Sequence, residues 1–223
     1  MDKVTTDERS LINEIKRLIS QAIKKGKLLD VWKVLPTEEG SINLASIRFQ
    51  EFWKEWWDSN LIPQLEIDFI LVLEEEVPDL GKPCLLGVEV KYFRSNIKMN
   101  FYEGLDQSLA YLRVGLDKSA LLHIFHPEFP NELVEKYSKA MEVLVRGLEL
   151  PIAYVACRIK SLENLGKFTL YTYYSHPTQA DVTLIVHFLK RSPINPLLKH
   201  ILYNDEVKLL RATLMAKLEI PRL

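Results

Sequence analysis

Apolar and polar residues follow two different periods along this chain, and the changes of period mark its elements. From Thr6 to Lys25, Leu11, Ile12, Ile15, Leu18, Ile19, Ala22 and Ile23 recur at helical spacing. Thr6 with the acidic residues after it fits a helix start, and Gly26 fits its stop. Leu28 to Leu35 predicts a short strand ended by Pro36, and Ser41 to Asp58 a second helix carrying Phe49, Phe52, Trp53, Trp56 and Trp57. Leu65 to Glu74 alternates with period two, setting Leu65, Ile67, Phe69, Leu71 and Leu73 on one face and Glu66, Asp68, Ile70 and Val72 on the other. A stretch of breakers (Pro78, Asp79, Gly81, Pro83) divides it from a second apolar run, Cys84 to Phe93, so the two predict a β-hairpin. Helices over Phe101–Leu116 and Asn131–Leu148 alternate with strands over Ala120–Phe125, Ile152–Ile159 and Lys167–Tyr174. A last helix is expected between Pro196 and Leu218. The order predicts an α/β sandwich with a mixed sheet: one domain over 1–175, with 176–223 as a helical extension packed on it.

The hairpin carries polar side chains where buried strands should have none. Glu89 and Lys91 lie two apart and share a face, while Val88, Val90 and Tyr92 point the other way. Asp68 interrupts the equally apolar EIDFILVL. A carboxylate or an ammonium in such a run is costly to desolvate unless it is paired or metal-bound. Antiparallel partners share a constant index sum, and a turn centred between Pro78 and Asp79 sets Asp68 opposite Glu89, roughly 4.5–5.5 Å apart. Like charges at that distance repel, and a divalent cation between them removes the conflict. Magnesium suits such oxygen ligands because it takes few carboxylates and keeps several waters.

Composition narrows the picture only slightly. With 223 residues and a net charge of −1, nothing in the total demands a polyanionic partner, so a nucleic-acid site has to be a local basic patch. Lys91, Arg94, Lys98, Arg113 and Lys118 are its candidates. Cys84 and Cys157 stand far apart in apolar runs and read as buried thiols; two cysteines cannot hold a four-cysteine iron–sulfur cluster. The polar N-terminus and the lack of a long apolar run give the expectation of a soluble cytoplasmic protein without membrane contact. His123, His126, His176, His187 and His200 show no metal spacing. The Trp-rich stretch Phe52–Trp57 fits core or a subunit contact, which leaves room for a homodimer.

Asp68, strand, turn, strand, then Glu89-Val90-Lys91 resembles the Asp…(Asp/Glu)-x-Lys signature of the PD-(D/E)xK nuclease superfamily. Gln107-x-x-x-Tyr111 follows on one helical face and resembles the Gln-x-x-x-Tyr motif of its RecB-like branch. The resemblance covers about Gln64 to Phe125, and nothing past Ile159 adds to it. It implies a restriction-endonuclease-like core, with a mixed central sheet flanked by helices. It further implies Mg²⁺ or Mn²⁺ held by Asp68, Glu89 and the Val90 carbonyl, and Lys91 acting on the attacking water. Gln107 and Tyr111 are then expected to contact substrate. The literal Pro78-Asp79 lies at the turn, roughly 33 Å of strand from Glu89, so Asp68 takes the metal-binding role although Pro63-Gln64 precedes it. Such folds often add a Glu from the first helix. Glu14, on a face with Leu11, Ile15 and Leu18, is expected there, with Glu51 as rival. The implied activity is hydrolysis of phosphodiesters, with DNA the expected partner. Two alternatives stay open: an inactive module that binds nucleic acid or a protein, and an unrelated scaffold whose polar hairpin is structural.

Overall fold

The computed structural model describes residues 7–46, 49, 65–94 and 100–221. Glu51, the Trp-rich stretch and Lys98 lie outside the described residues. Helix α1 (Glu8–Lys24) starts on Asp7, whose carboxylate accepts from Ser10 N at 2.6 Å, and buries Leu11, Ile12, Ile15, Ile19 and Ala22. It stops where Gly26 takes φ +66°, a conformation that costs glycine nothing. Lys16 is buried on the same helix, and its ammonium is satisfied by the carbonyls of Glu38 and Gly40 at 2.8 and 2.6 Å.

A short antiparallel ribbon is formed by β2 (Ile42–Asn43) and β3 (Glu66–Ile67), between β1 (Val31–Leu35) and β4 (Phe69–Leu73) in the chain. The remaining strands are β5 (Cys84–Phe93), β6 (Lys118–Phe125), β7 (Ala153–Ile159), β8 (Phe168–Leu170) and β9 (Thr178–Ala180). Among the described residues, seven strands make one sheet in the order β1-β4-β5-β6-β7-β8-β9. β5, β6 and β7 run parallel and the outer pairs antiparallel. Helices α2 (Leu105–Arg113) and α3 (Asn131–Gly147) make the two parallel crossovers. Central strands covered on both faces read as unbroken apolar runs, as β4 does; β6 is buried throughout but carries Lys118, Ser119 and His123. β1 pairs β4 with an irregularity between Val31 and Lys33.

Helices flank the sheet. α1 and α4 (Val182–Leu189) share a core with Phe69, Leu71, Val88, Val90 and Leu122. Residues of α2 and α5 (Asn204–Lys217) gather with Ile70, Val72 and Leu85, and those of α3 with Leu121 and Tyr154. The result is a mixed α/β sandwich. No helix among the described residues is long and apolar enough to cross a membrane.

Three local features depart from the periodicity. The strand expected over Leu65–Glu74 breaks at Asp68 into β3 and β4, so Leu65 and Ile67 join Ile70 and Val72 in one core cluster. The strand expected to reach Tyr174 stops at Leu170, and Tyr173 takes φ +69°. Residues 176–223 contribute the edge strand β9 and core residues of α4 as well as helices. β9 is three polar or small residues, too short to show a period, and α4 (VTLIVHFL) buries Val182, Ile185, Val186 and Leu189 at helical spacing.

The C-terminal helix is fixed by a buried ion pair. Arg211 Nε donates to Asp117 Oδ1 at 2.6 Å and its Nη2 to the Pro83 carbonyl at 2.6 Å, while Asp117 Oδ2 accepts from Leu85 N at 2.8 Å. Asn195 adds bonds to the carbonyls of Leu112 and Leu116 at 2.7 and 2.8 Å. Every buried charge there has a partner, as its desolvation requires.

Candidate functional site

Phe69 pairs with Val88 and Ile70 with Gly87, and this register continues toward Asp68 against Glu89. β4 begins only at Phe69, so β5 runs past its neighbour with edge N–H groups to satisfy. Asp68 turns its carboxylate into that gap, and Oδ2 accepts from Val90 N at 2.7 Å. Two residues on, Tyr92 N donates to Glu8 Oε2 at 2.7 Å. One strand edge therefore aligns two carboxylates, from the hairpin and from the first turn of α1.

Glu89, only 2% exposed, points to the other face of β5. Its Oε1 lies 2.6 Å from Lys91 Nζ, and its Oε2 is held by the hydroxyl of Tyr111. Tyr111, fully buried on α2, also lies 2.8 Å from the Glu66 carbonyl. The space for this ring comes from Gly87, where a Cβ would stand 3.0 Å from the Tyr111 ring and 2.4 Å from Leu116. Gly104, with φ +79°, lets the turn before α2 lie against Lys91; a Cβ there would come within 3.0 Å of its Cγ and Cε. His123, opposite Lys91 on β6, is buried and donates from Nε2 to the Glu103 carbonyl at 2.9 Å, which leaves Nδ1 to accept from Tyr154 at 3.2 Å.

Electrostatics follow from this burial. Asp68 is raised to about 7, first by desolvation and then by the nearby Glu89. Burial also raises Glu89, against the opposing pull of Lys91 and Tyr111. Burial lowers Lys91, but the Glu89 carboxylate more than offsets this and its pKa lies above the ordinary value. Desolvation drives Tyr111 far up and His123 down to about 4, so His123 is neutral. Cys84 and Cys157 are buried and unbridged, and burial pushes both thiols up.

Of the residues singled out in the sequence, Asp68, Glu89, Val90, Lys91 and Tyr111 converge. Tyr111 lies behind Glu89 rather than on an open surface, while Gln107 lines a groove together with Lys91. Glu14 is not with them: it pairs with Arg17 at 2.5 Å and lines a different groove from Asp68. The α1 carboxylate that acts on Asp68, Glu89 and Lys91 is Glu8. Periodicity could not select Glu8, because its bond to Tyr92 spans 84 residues of sequence. Of the basic candidates, Lys118 is engaged by Glu75 and Arg113 by Glu206, each at 2.6 Å; Arg94 lies over the Tyr92 ring at 5.6 Å.

Among the described residues, no three His, Cys, Asp or Glu side chains form a group arranged to hold a metal. The carboxylates gathered there are those of Asp68 and Glu89, with Glu8 further along the strand edge. Set against known proteins, the chain matches no family model, no curated protein and no solved structure.

Proposed function

We propose that this chain is a metal-dependent nuclease with a restriction-endonuclease-like core, of the RecB-like PD-(D/E)xK kind, that hydrolyses phosphodiester bonds in DNA. The observation that carries this reading is the convergence of Asp68, Glu89 and Lys91 where β3 gives way to β4, backed by Tyr111 from the following helix.

The residues fit Mg²⁺ or Mn²⁺. The donors are hard carboxylate oxygens, few enough that a hexacoordinate ion keeps waters. Asp68 and Glu89 would hold the ion, with the Val90 carbonyl on the same strand as a third ligand and Glu8 available beyond it. Once bound, the cation supplies Lewis-acid polarisation of the phosphoryl group and makes water more acidic. Lys91 gives up its contact with Glu89, then orients the attacking water and meets charge developing on the phosphate. Tyr111 keeps Glu89 aimed while this exchange occurs. Desolvation of the two carboxylates is a cost in the metal-free protein that a bound cation would offset.

A second reading, binding of nucleic acid or a protein without cutting, is favoured by one observation: both Glu89 oxygens already have protein partners. The deciding experiment incubates purified protein with single- and double-stranded DNA and RNA in Mg²⁺ or Mn²⁺, beside Asp68→Ala, Glu89→Ala and Lys91→Ala. Cleavage lost in each variant supports the nuclease. Binding without cleavage in either metal supports the second reading.

A further inference from the structure

A groove of about 600 Å³ opens on the α2 side of the carboxylate pair, with Lys91 in its wall. That volume is in the range of small-molecule and nucleotide sites. Its other walls include Asn100, Tyr102, Asp106, Gln107 and Leu109. Glu103 and Asp106 set two carboxylates against the one ammonium, so the groove is a poor seat for a phosphate backbone beyond Lys91 itself.

Its chemistry suits a nucleobase instead. Tyr102 is 51% exposed, and its ring rests edge-to-face on Phe101 with centroids 5.4 Å apart. Phe101 in turn packs on the core cluster that contains residues of β6 and α3. A half-exposed ring braced on a packed neighbour loses less side-chain freedom on binding than an unsupported one. The amides of Asn100 and Gln107 each offer donors and an acceptor, and Asp106 accepts from exocyclic amines. The turn carrying Tyr102 is tied to the sheet by the His123–Glu103 bond and by the close approach of Gly104 to Lys91. A base inside a duplex hides its ring face, whereas an unstacked nucleotide offers both face and pairing edge.

We propose that this groove is a base subsite for a single-stranded nucleotide, with Tyr102 as the stacking platform. The subsite rests on the nuclease reading only in placing the neighbouring phosphate at Lys91.

The test measures fluorescence anisotropy of a labelled mixed-sequence oligonucleotide, single-stranded or annealed, with Mg²⁺ and full-length protein carrying Asp68→Asn to prevent cutting. Single strand should bind more tightly than duplex. Adding Tyr102→Ala should weaken single-strand binding by about tenfold, while Tyr102→Phe restores it and duplex binding does not move. Cleavage by protein with native Asp68 is assayed in parallel. Cleavage without any Tyr102 effect on single-strand binding overturns the subsite and leaves the nuclease reading standing. Tyr102-dependent binding without cleavage supports the subsite and sinks the nuclease reading. Equal loss on single strand and duplex overturns the claim that the base is unstacked.

Discussion

The hydroxyl of Tyr111 stands between the Glu89 carboxylate and the Glu66 carbonyl, so one hydrogen faces two acceptors. The carbonyl can only accept. When Glu89 is ionised, Tyr111 turns its hydrogen to the carboxylate; when Glu89 is protonated, the acid donates to Tyr111, which donates to Glu66. Tyr111→Phe removes a bond that favours ionised Glu89. We expect kcat to fall about tenfold to a hundredfold, with the acidic limb of the pH–rate profile displaced to higher pH. An unmoved acidic limb would show that Tyr111 only fills space.

Asp68 gives a stability prediction with a definite sign. Its folded pKa is raised from 3.8 to about 7, first by burial and then by Glu89. Between those values the folded protein keeps a proton that the unfolded chain has released, so stability is greatest below the unfolded value and falls as pH climbs through 7. The melting temperature of metal-free protein should decline across that window. Asp68→Asn should flatten the decline and be the more stable protein at pH 8 without metal. Mg²⁺ should then raise the melting temperature of the native protein and not of the variant. A melting temperature that rises with pH across the window contradicts the assignment.

Glu8 is held beside the pair through Tyr92 N, and Glu14 is turned to Arg17. Calorimetric titration with Mn²⁺ should show Glu8→Gln weakened by about tenfold and Glu14→Gln unchanged. The reverse order would return the α1 role to Glu14.

Gly104 leaves no room for a side chain beside Lys91, and its φ of +79° strains any L residue. Gly104→Ala should lower kcat and raise KM together, because it displaces both Lys91 and the turn that carries Tyr102. A rise in KM with kcat unchanged would show that only the turn moves.

Arg211→Ala leaves the Asp117 carboxylate buried without its counter-ion. Urea denaturation should report a loss of about 3–5 kcal/mol, and Asp117→Asn a smaller one because the carboxamide keeps an acceptor for Leu85 N. A loss under about 1 kcal/mol would mean that water replaces the pair.

The hairpin was legible because its information is local. A turn at Pro78–Asp79 and two apolar runs dictate the pairing of Phe69 with Val88, which brings Asp68 to the edge of β5 beside Glu89 and Val90. The shared face of Glu89 and Lys91 likewise follows from the strand period, whereas Tyr111 was singled out only by the resemblance to the Gln-x-x-x-Tyr motif. The break at Asp68 was not legible, because it depends on a side chain taking an N–H of the neighbouring strand. Glu8 and His123 are placed by partners distant in sequence, and Gly87 and Gly104 matter only through the rings and chains they admit. The polar β9 is too short to carry a period, whereas Val182, Ile185, Val186 and Leu189 of α4 do stand at helical spacing.

The sheet also ends in ways that bear on self-association. On one side its last strand is Thr178–Ala180, too short to offer a neighbouring molecule more than a few free backbone groups. On the other, β1 departs from regular pairing between Val31 and Lys33 and carries a charged side chain at that point. A flat, apolar border invites another copy to add a strand and seed a fibril, and both borders here lack that character. Concentrated preparations should therefore resist β-type aggregation even though the interior strands are almost wholly apolar.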